Sequence, residues 1–153
     1  MSTARPTRRE ARRLAILAVF AHDATGYPMD ETIALLGRMN ENWAVLPEFT
    51  VRLCLAVERH HEEIGVTLAR TLEHWKLDRV APVERAILKL ACAEVDYFAE
   101  IPPRVTITEY LELAKLYTPD QAPGFINGVI DKLVQQRGKP DFEAGRTTRR
   151  AGH

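Results

Sequence analysis

A chain of 153 residues with 46% hydrophobic content is one domain long and has ample apolar material for a core. Its two cysteines, Cys54 and Cys92, both fall in helical patterns, which argues for a reducing compartment and against a disulfide scaffold or a metal set. No apolar run approaches about 18 residues, so a membrane span is excluded. The formal net charge is zero but unevenly placed: +4 over residues 1–13, +2 over 138–153 and therefore −6 over the body. That distribution suits a protein that touches an anion at its leading edge and a basic protein elsewhere.

Residues 1–6 are expected to be disordered. Thr7 and Glu10 have capping-box spacing, which predicts a helix from Arg8 to about Ala24, ahead of Gly26 and Pro28. Its inner face is Ala11, Leu14, Ala15, Ala18 and Ala21. The basic residues before this apolar stretch superficially resemble an export signal, but the stretch is short and the cap accounts for them, so the chain is read as cytoplasmic. Arg5, Arg8, Arg9, Arg12 and Arg13 crowd the first turns, where each cation opposes the helix dipole by roughly a few tenths of a kcal/mol. The misfit points to arginines that meet an anion.

Asp30 is placed as the cap of a short helix over Glu31–Met39, with Ile33, Leu36 and Gly37 inward. After a loop over 40–46 that holds Trp43, one long helical pattern runs from Pro47 to about Trp75, with a break expected at Gly65. His60, His61, Glu62 and Glu63 lack any metal-ligand spacing and read as a core-edge histidine and a solvated face. A turn over Leu77–Ala81 leads to Pro82, a favourable first helical residue. The helix it opens reaches about Ala99, with Val83, Ile87, Leu90, Ala91 and Phe98 on its stripe and Glu84, Arg85 and Asp96 facing out. Glu94 falls on the apolar stripe; buried there, it must accept hydrogen bonds.

Pro102-Pro103 stops that helix. Thr106 and Glu109 again show capping-box spacing, ahead of a helix apolar at Ile107, Tyr110, Leu111, Leu113, Ala114, Leu116 and Tyr117. So wide a girdle predicts a central helix packed on more than one side. After a loop over Thr118–Pro123, Ile126, Val129, Ile130 and Leu133 define the core face of a last helix, with Gly124, Asn127, Gly128 and Asp131 off that face. The remainder, 138–153, is expected to be a flexible basic tail. The reading is therefore all-α, with a single helical domain over 7–137. No strand pattern, glycine-rich phosphate loop or nucleophile constellation occurs, so no enzyme, cofactor or metal is expected.

The segments RREARRLAILAVFAHD (8–23), HWKLDRVAPVERAILKLACAEV (74–95), IPPRVTITEYLELAKLYT (101–118) and GFINGVIDKL (124–133) resemble the NusB family of transcription antitermination factors. Residues 24–73 match only by helix pattern. The resemblance implies a fold of two three-helix bundles sharing a core, about six to seven helices in all. It also implies a partner, the ribosomal protein NusE. Together the two would bind boxA-like single-stranded RNA of ribosomal RNA leaders and join RNA polymerase through other Nus factors.

Carried onto this chain, the family's RNA surface falls on Arg8, Arg9, Arg12, Phe20, Phe125 and Asn127, and its partner surface on Glu84 and Arg85. Arginines neutralise phosphates, and a phenyl ring offers an unpaired base a stacking face. Gly124 and Gly128 would let a nucleotide come close. The chain departs from the family pattern at Glu10, Phe20, Thr108, Tyr110 and Gln121, which bears on RNA specificity more than on fold. The alternatives are a protein–protein module or homodimer with a vestigial RNA face, and a domain accessory to an rRNA methyltransferase.

Overall fold

The computed structural model describes residues 6–40, 45–73 and 76–137. The expected tail over 138–153, most of the expected disordered N-terminus, and Trp43 and Trp75 lie outside them. Seven α-helices and one short 3-10 turn account for the described secondary structure, with no strand among the described residues.

Helix α1 spans Arg8–Thr25, and the Thr7 hydroxyl accepts from the Glu10 N–H at 3.0 Å, as the spacing predicted. Gly26 ends it in the left-handed region (φ 77°), where its N–H bonds back to the His22 carbonyl, a conformation that favours a residue without Cβ. Helix α2 is Met29–Met39. It begins before Asp30, which is therefore no cap: the Asp30 carboxylate lies inside the first turn and accepts from the Glu31 N–H.

The single long helix predicted over 47–75 is two, α3 (Glu48–Arg59) and α4 (His61–Thr71). The break is at His60 (φ −107°, ψ 27°), not at Gly65, which stays helical. The His60 ring stacks on Tyr97, centroids 3.6 Å apart and planes 10° from parallel. This contact with a neighbouring helix sits at the break, and no local sequence signal announces it.

Helix α5 (Pro82–Tyr97) is the hub, packing against α1, α3, α4, α6 and α7. Ala86, Ile87, Leu88 and all of Leu90–Val95 are buried, so it is enclosed on nearly every side. The sequence assigned that central role to α6 (Pro103–Tyr117). Instead α6 buries Tyr110, Leu113 and Ala114 while leaving Leu116 and Tyr117 exposed. Its start also differs, because Pro103 is the first helical residue and Thr106 sits inside the helix. The Thr106 hydroxyl, freed from capping, donates to Glu94 at 2.9 Å. Helix α7 (Ala122–Arg137) buries the predicted Ile126, Val129, Ile130 and Leu133.

Helices α1–α3 form one bundle and α5–α7 the other, joined where α1 and α3 meet α5. At that junction the Arg12 guanidinium donates twice to Glu94, Nε–Oε2 at 2.6 Å and Nη2–Oε1 at 3.0 Å. Both side chains are within 2% of complete burial. Glu94 thus accepts the hydrogen bonds its place in the core demands.

Candidate nucleic-acid interface

At about 100° per residue, Arg9, Arg13, Ile16, Leu17 and Phe20 occupy one arc of α1, while Arg8 and Arg12 fall to its side. The arginines predicted to act together therefore diverge. Arg8 turns toward α3, its guanidinium 4.0 Å from the centroid of the Phe49 ring, in a hollow shared with Arg52 and Glu48. Arg9 turns toward α6 and binds Glu109 through both carboxylate oxygens, Nε–Oε1 at 2.8 Å and Nη2–Oε2 at 3.1 Å. Arg12 points inward and is committed to Glu94. This corrects the expectation that Arg12 serves an RNA phosphate: its guanidinium is sealed, and opening it would strand a buried carboxylate.

Arg13, which the sequence grouped with the basic cluster but did not single out, is the cation on the stripe that leads to Phe20. It pairs loosely with Glu10 at 3.7 Å. Arg13, Leu17, Phe20, Val83 and Tyr117 line a hollow of about 260 Å³ between α1, α5 and α6. Phe20 is half-buried against the core, with part of its surface open to that hollow. Tyr117 belongs to the apolar girdle in the sequence pattern, and its signal is an aromatic at the last turn of a helix whose buried face lies elsewhere.

Phe125 is likewise half-buried and lines a cleft of about 370 Å³ with Arg79, Val80, Glu84, Pro119 and Gln121. The two hollows flank the first turn of α5, with Val83 in one and Glu84 in the other. Two surfaces that the sequence kept apart, one for RNA and one for a protein, therefore adjoin. Asn127 is half-buried on the outer side of α7. A Cβ added at Gly124 or Gly128 on the same helix would meet nothing within 4 Å, so that face is open.

Arg85 does not face out as expected. It donates to the Val80 carbonyl at 3.0 Å and pairs with Asp23 at 3.7 Å, which also holds Lys89. Asp96 is similarly held by Arg137, at 2.7 Å. Burial pushes the Cys54 and Cys92 thiols up to about 12, so both are protonated near neutrality and unsuited to nucleophilic or metal chemistry. Among the described residues no three metal-ligating side chains converge, and no helix is long and apolar enough to cross a membrane.

Residues 9–135 match the sequence profile of the NusB family. The chain belongs to that family. NusB-family proteins are transcription antitermination factors and not enzymes, and the profile match includes residues 24–73, where the sequence offered only a helix pattern. The transcription antitermination protein NusB of Desulfitobacterium hafniense is 35% identical over 151 residues, covering 94% of this chain and 99% of the relative. The NusB of Bacillus subtilis is 36% identical over 126 residues, covering 82% and 93%. Among solved structures, T. maritima NusB superposes with a TM-score of 0.75 at 29% identity, covering 86% of this chain and 94% of that one. A chain from a complex of the antitermination factors NusB and NusE with dsRNA superposes with a TM-score of 0.74 at 27% identity, covering 84% and 96%.

Proposed function

We propose that this NusB-family chain is a cytoplasmic RNA-binding adaptor that pairs with a NusE-type ribosomal protein on boxA-like single-stranded RNA of ribosomal RNA leaders, and reaches RNA polymerase through other Nus factors. The observation that carries the reading is the stripe Arg9, Arg13 and Phe20 along α1, ending at the turn of α5 that also borders the Phe125 cleft. The likeness to a NusB that was solved with NusE and dsRNA supports the RNA and NusE part of it. So does the −6 charge of the body, which complements a basic ribosomal partner. Arg8, Arg9 and Arg13 supply the phosphate contacts, and Phe125 and Phe20 offer stacking faces. Asn127 adds a polar contact, and Glu84 is the partner's ion-pair acceptor.

With about three phosphates neutralised, the single-strand slope of roughly −0.7 per contact sums to about −2.1, a loss on the order of 20-fold in affinity between 50 and 200 mM salt. Titration of labelled single-stranded RNA at several salt concentrations tests this. Arg9→Ala with Arg13→Ala should flatten the slope by about 1.4, and Phe125→Ala should weaken binding by about 1–3 kcal/mol if a base stacks there. A salt-independent signal, or an unchanged slope in the double variant, would refute the RNA assignment. Because Glu84 and Phe125 share a cleft, RNA should strengthen capture of the ribosomal partner and the partner should strengthen RNA binding equally. Glu84→Lys should abolish capture without unfolding the chain.

A further inference from the structure

We infer that Glu109 is a built-in competitor for the RNA phosphate at Arg9, and so sets how tightly and how selectively the α1 surface binds polyanions. The inference rests on the RNA reading above. Three arginine–carboxylate pairs stand along the start of α1, and they differ in reach. Arg12–Glu94 is sealed and unavailable to any ligand. Arg13–Glu10 is a loose contact between two exposed side chains, which an incoming phosphate displaces at little cost. Arg9–Glu109 lies between these extremes. Its geometry is the two-pronged fork that guanidinium forms with carboxylate or phosphate alike. Yet the Arg9 side chain is 50% exposed and Glu109 20% exposed, so a ligand can reach it.

A phosphate approaching Arg9 therefore meets a cation whose Nε and Nη2 already serve a carboxylate of the same geometry. It must either displace Glu109 or bind beside it against like-charge repulsion. Arg9 also holds the Glu109 carboxyl below its usual range, chiefly through these hydrogen bonds, so the competitor remains charged near neutrality. A polynucleotide that engages several cations at once can offset that cost; an isolated anion cannot. Glu112, one turn further along α6, is bonded to Lys115 and offers a control for diffuse charge on the same helix.

The test is titration of labelled oligouridylate with the full chain and the variants Glu109→Gln, Arg9→Ala, the two combined, and Glu112→Gln. Glu109→Gln should bind about threefold to fivefold tighter, the scale of one released surface ion pair. Arg9→Ala should weaken binding and flatten the salt slope by about 0.7 in either background, and once Arg9 is absent Glu109→Gln should give no gain. Glu112→Gln should give a clearly smaller gain. Weaker or equal binding by Glu109→Gln would overturn the inference, since Glu109 would then be orienting Arg9 for the ligand. Equal gains from Glu109→Gln and Glu112→Gln would also overturn it, by making the effect one of diffuse charge. If the parent chain binds no oligouridylate at any salt concentration, the RNA reading fails and this inference falls with it.

Discussion

At the residue scale, the deciding feature is the different fate of neighbouring arginines. Arg9 and Arg12 are three positions apart, yet one lies at the surface and the other is enclosed between α1 and α5. A buried ion pair is weak evidence for stability, because desolvating both charges offsets their attraction, but removing one partner alone is costly. Glu94→Gln should therefore destabilise the fold by about 3–5 kcal/mol, with the Arg12 charge left uncompensated. Arg12→Met combined with Glu94→Leu should recover most of that loss. Urea unfolding midpoints of the three proteins check the claim; equal losses in the single and double variants would contradict it. The fully buried Tyr110 hydroxyl, which finds no partner in good hydrogen-bond geometry among the described residues, sits beside this pair, its ring 5.8 Å from the Arg12 guanidinium.

At the element scale, the differences between pattern and structure fall at helix ends. Periodicity located the core face of α7 and most of the inner face of α1, because both are set by i, i+3, i+4 spacing within one helix, although Ile16 and Val19 are also buried and Ala21 is only half-buried. It misplaced the division between α3 and α4, which coincides with a stack between His60 and Tyr97 from another helix. It also took Thr106 for a cap, although its hydroxyl serves Glu94 across the core. The two glycines at stake give opposite expectations. Gly65 lies inside α4 with open space where a Cβ would be, so Gly65→Ala should stabilise by about 0.5–1 kcal/mol. Gly26 has φ 77°, so Gly26→Ala should destabilise by about 1 kcal/mol. Thermal melts of the two variants should move in opposite directions.

At the scale of the whole molecule, several surface ion pairs tie one element to another: Arg9 to Glu109 links α1 with α6, and Arg52 of α3 reaches Glu100 before α6. Glu109 is held below its ordinary range chiefly by its hydrogen bonds from Arg9; Glu100 is held there by a backbone hydrogen bond and then by Arg52. Carboxylates with lowered folded values contribute stability that is present above the ordinary glutamate value of about 4.3 and lost as pH falls through the lowered values. The chain should therefore lose stability below about pH 4.3, and Glu109→Gln should remove part of that dependence. Denaturation midpoints of parent and variant should converge as the pH drops, and a constant gap would refute the assignment.

The amino-acid sequence alone determined the helical class, the inward faces of α1 and α7, the inert placement of both cysteines, and the family. Each depends on local spacing or residue identity, which a linear chain carries intact. Only the tertiary structure decided that α5 and not α6 is the hub, that Arg12 belongs to the core, and that the Phe20 and Phe125 hollows flank one turn of α5. These depend on which helices meet and at what rotation. A single charge on a helix can answer a phosphate or a buried carboxylate, and the choice is made by the helix packed against it.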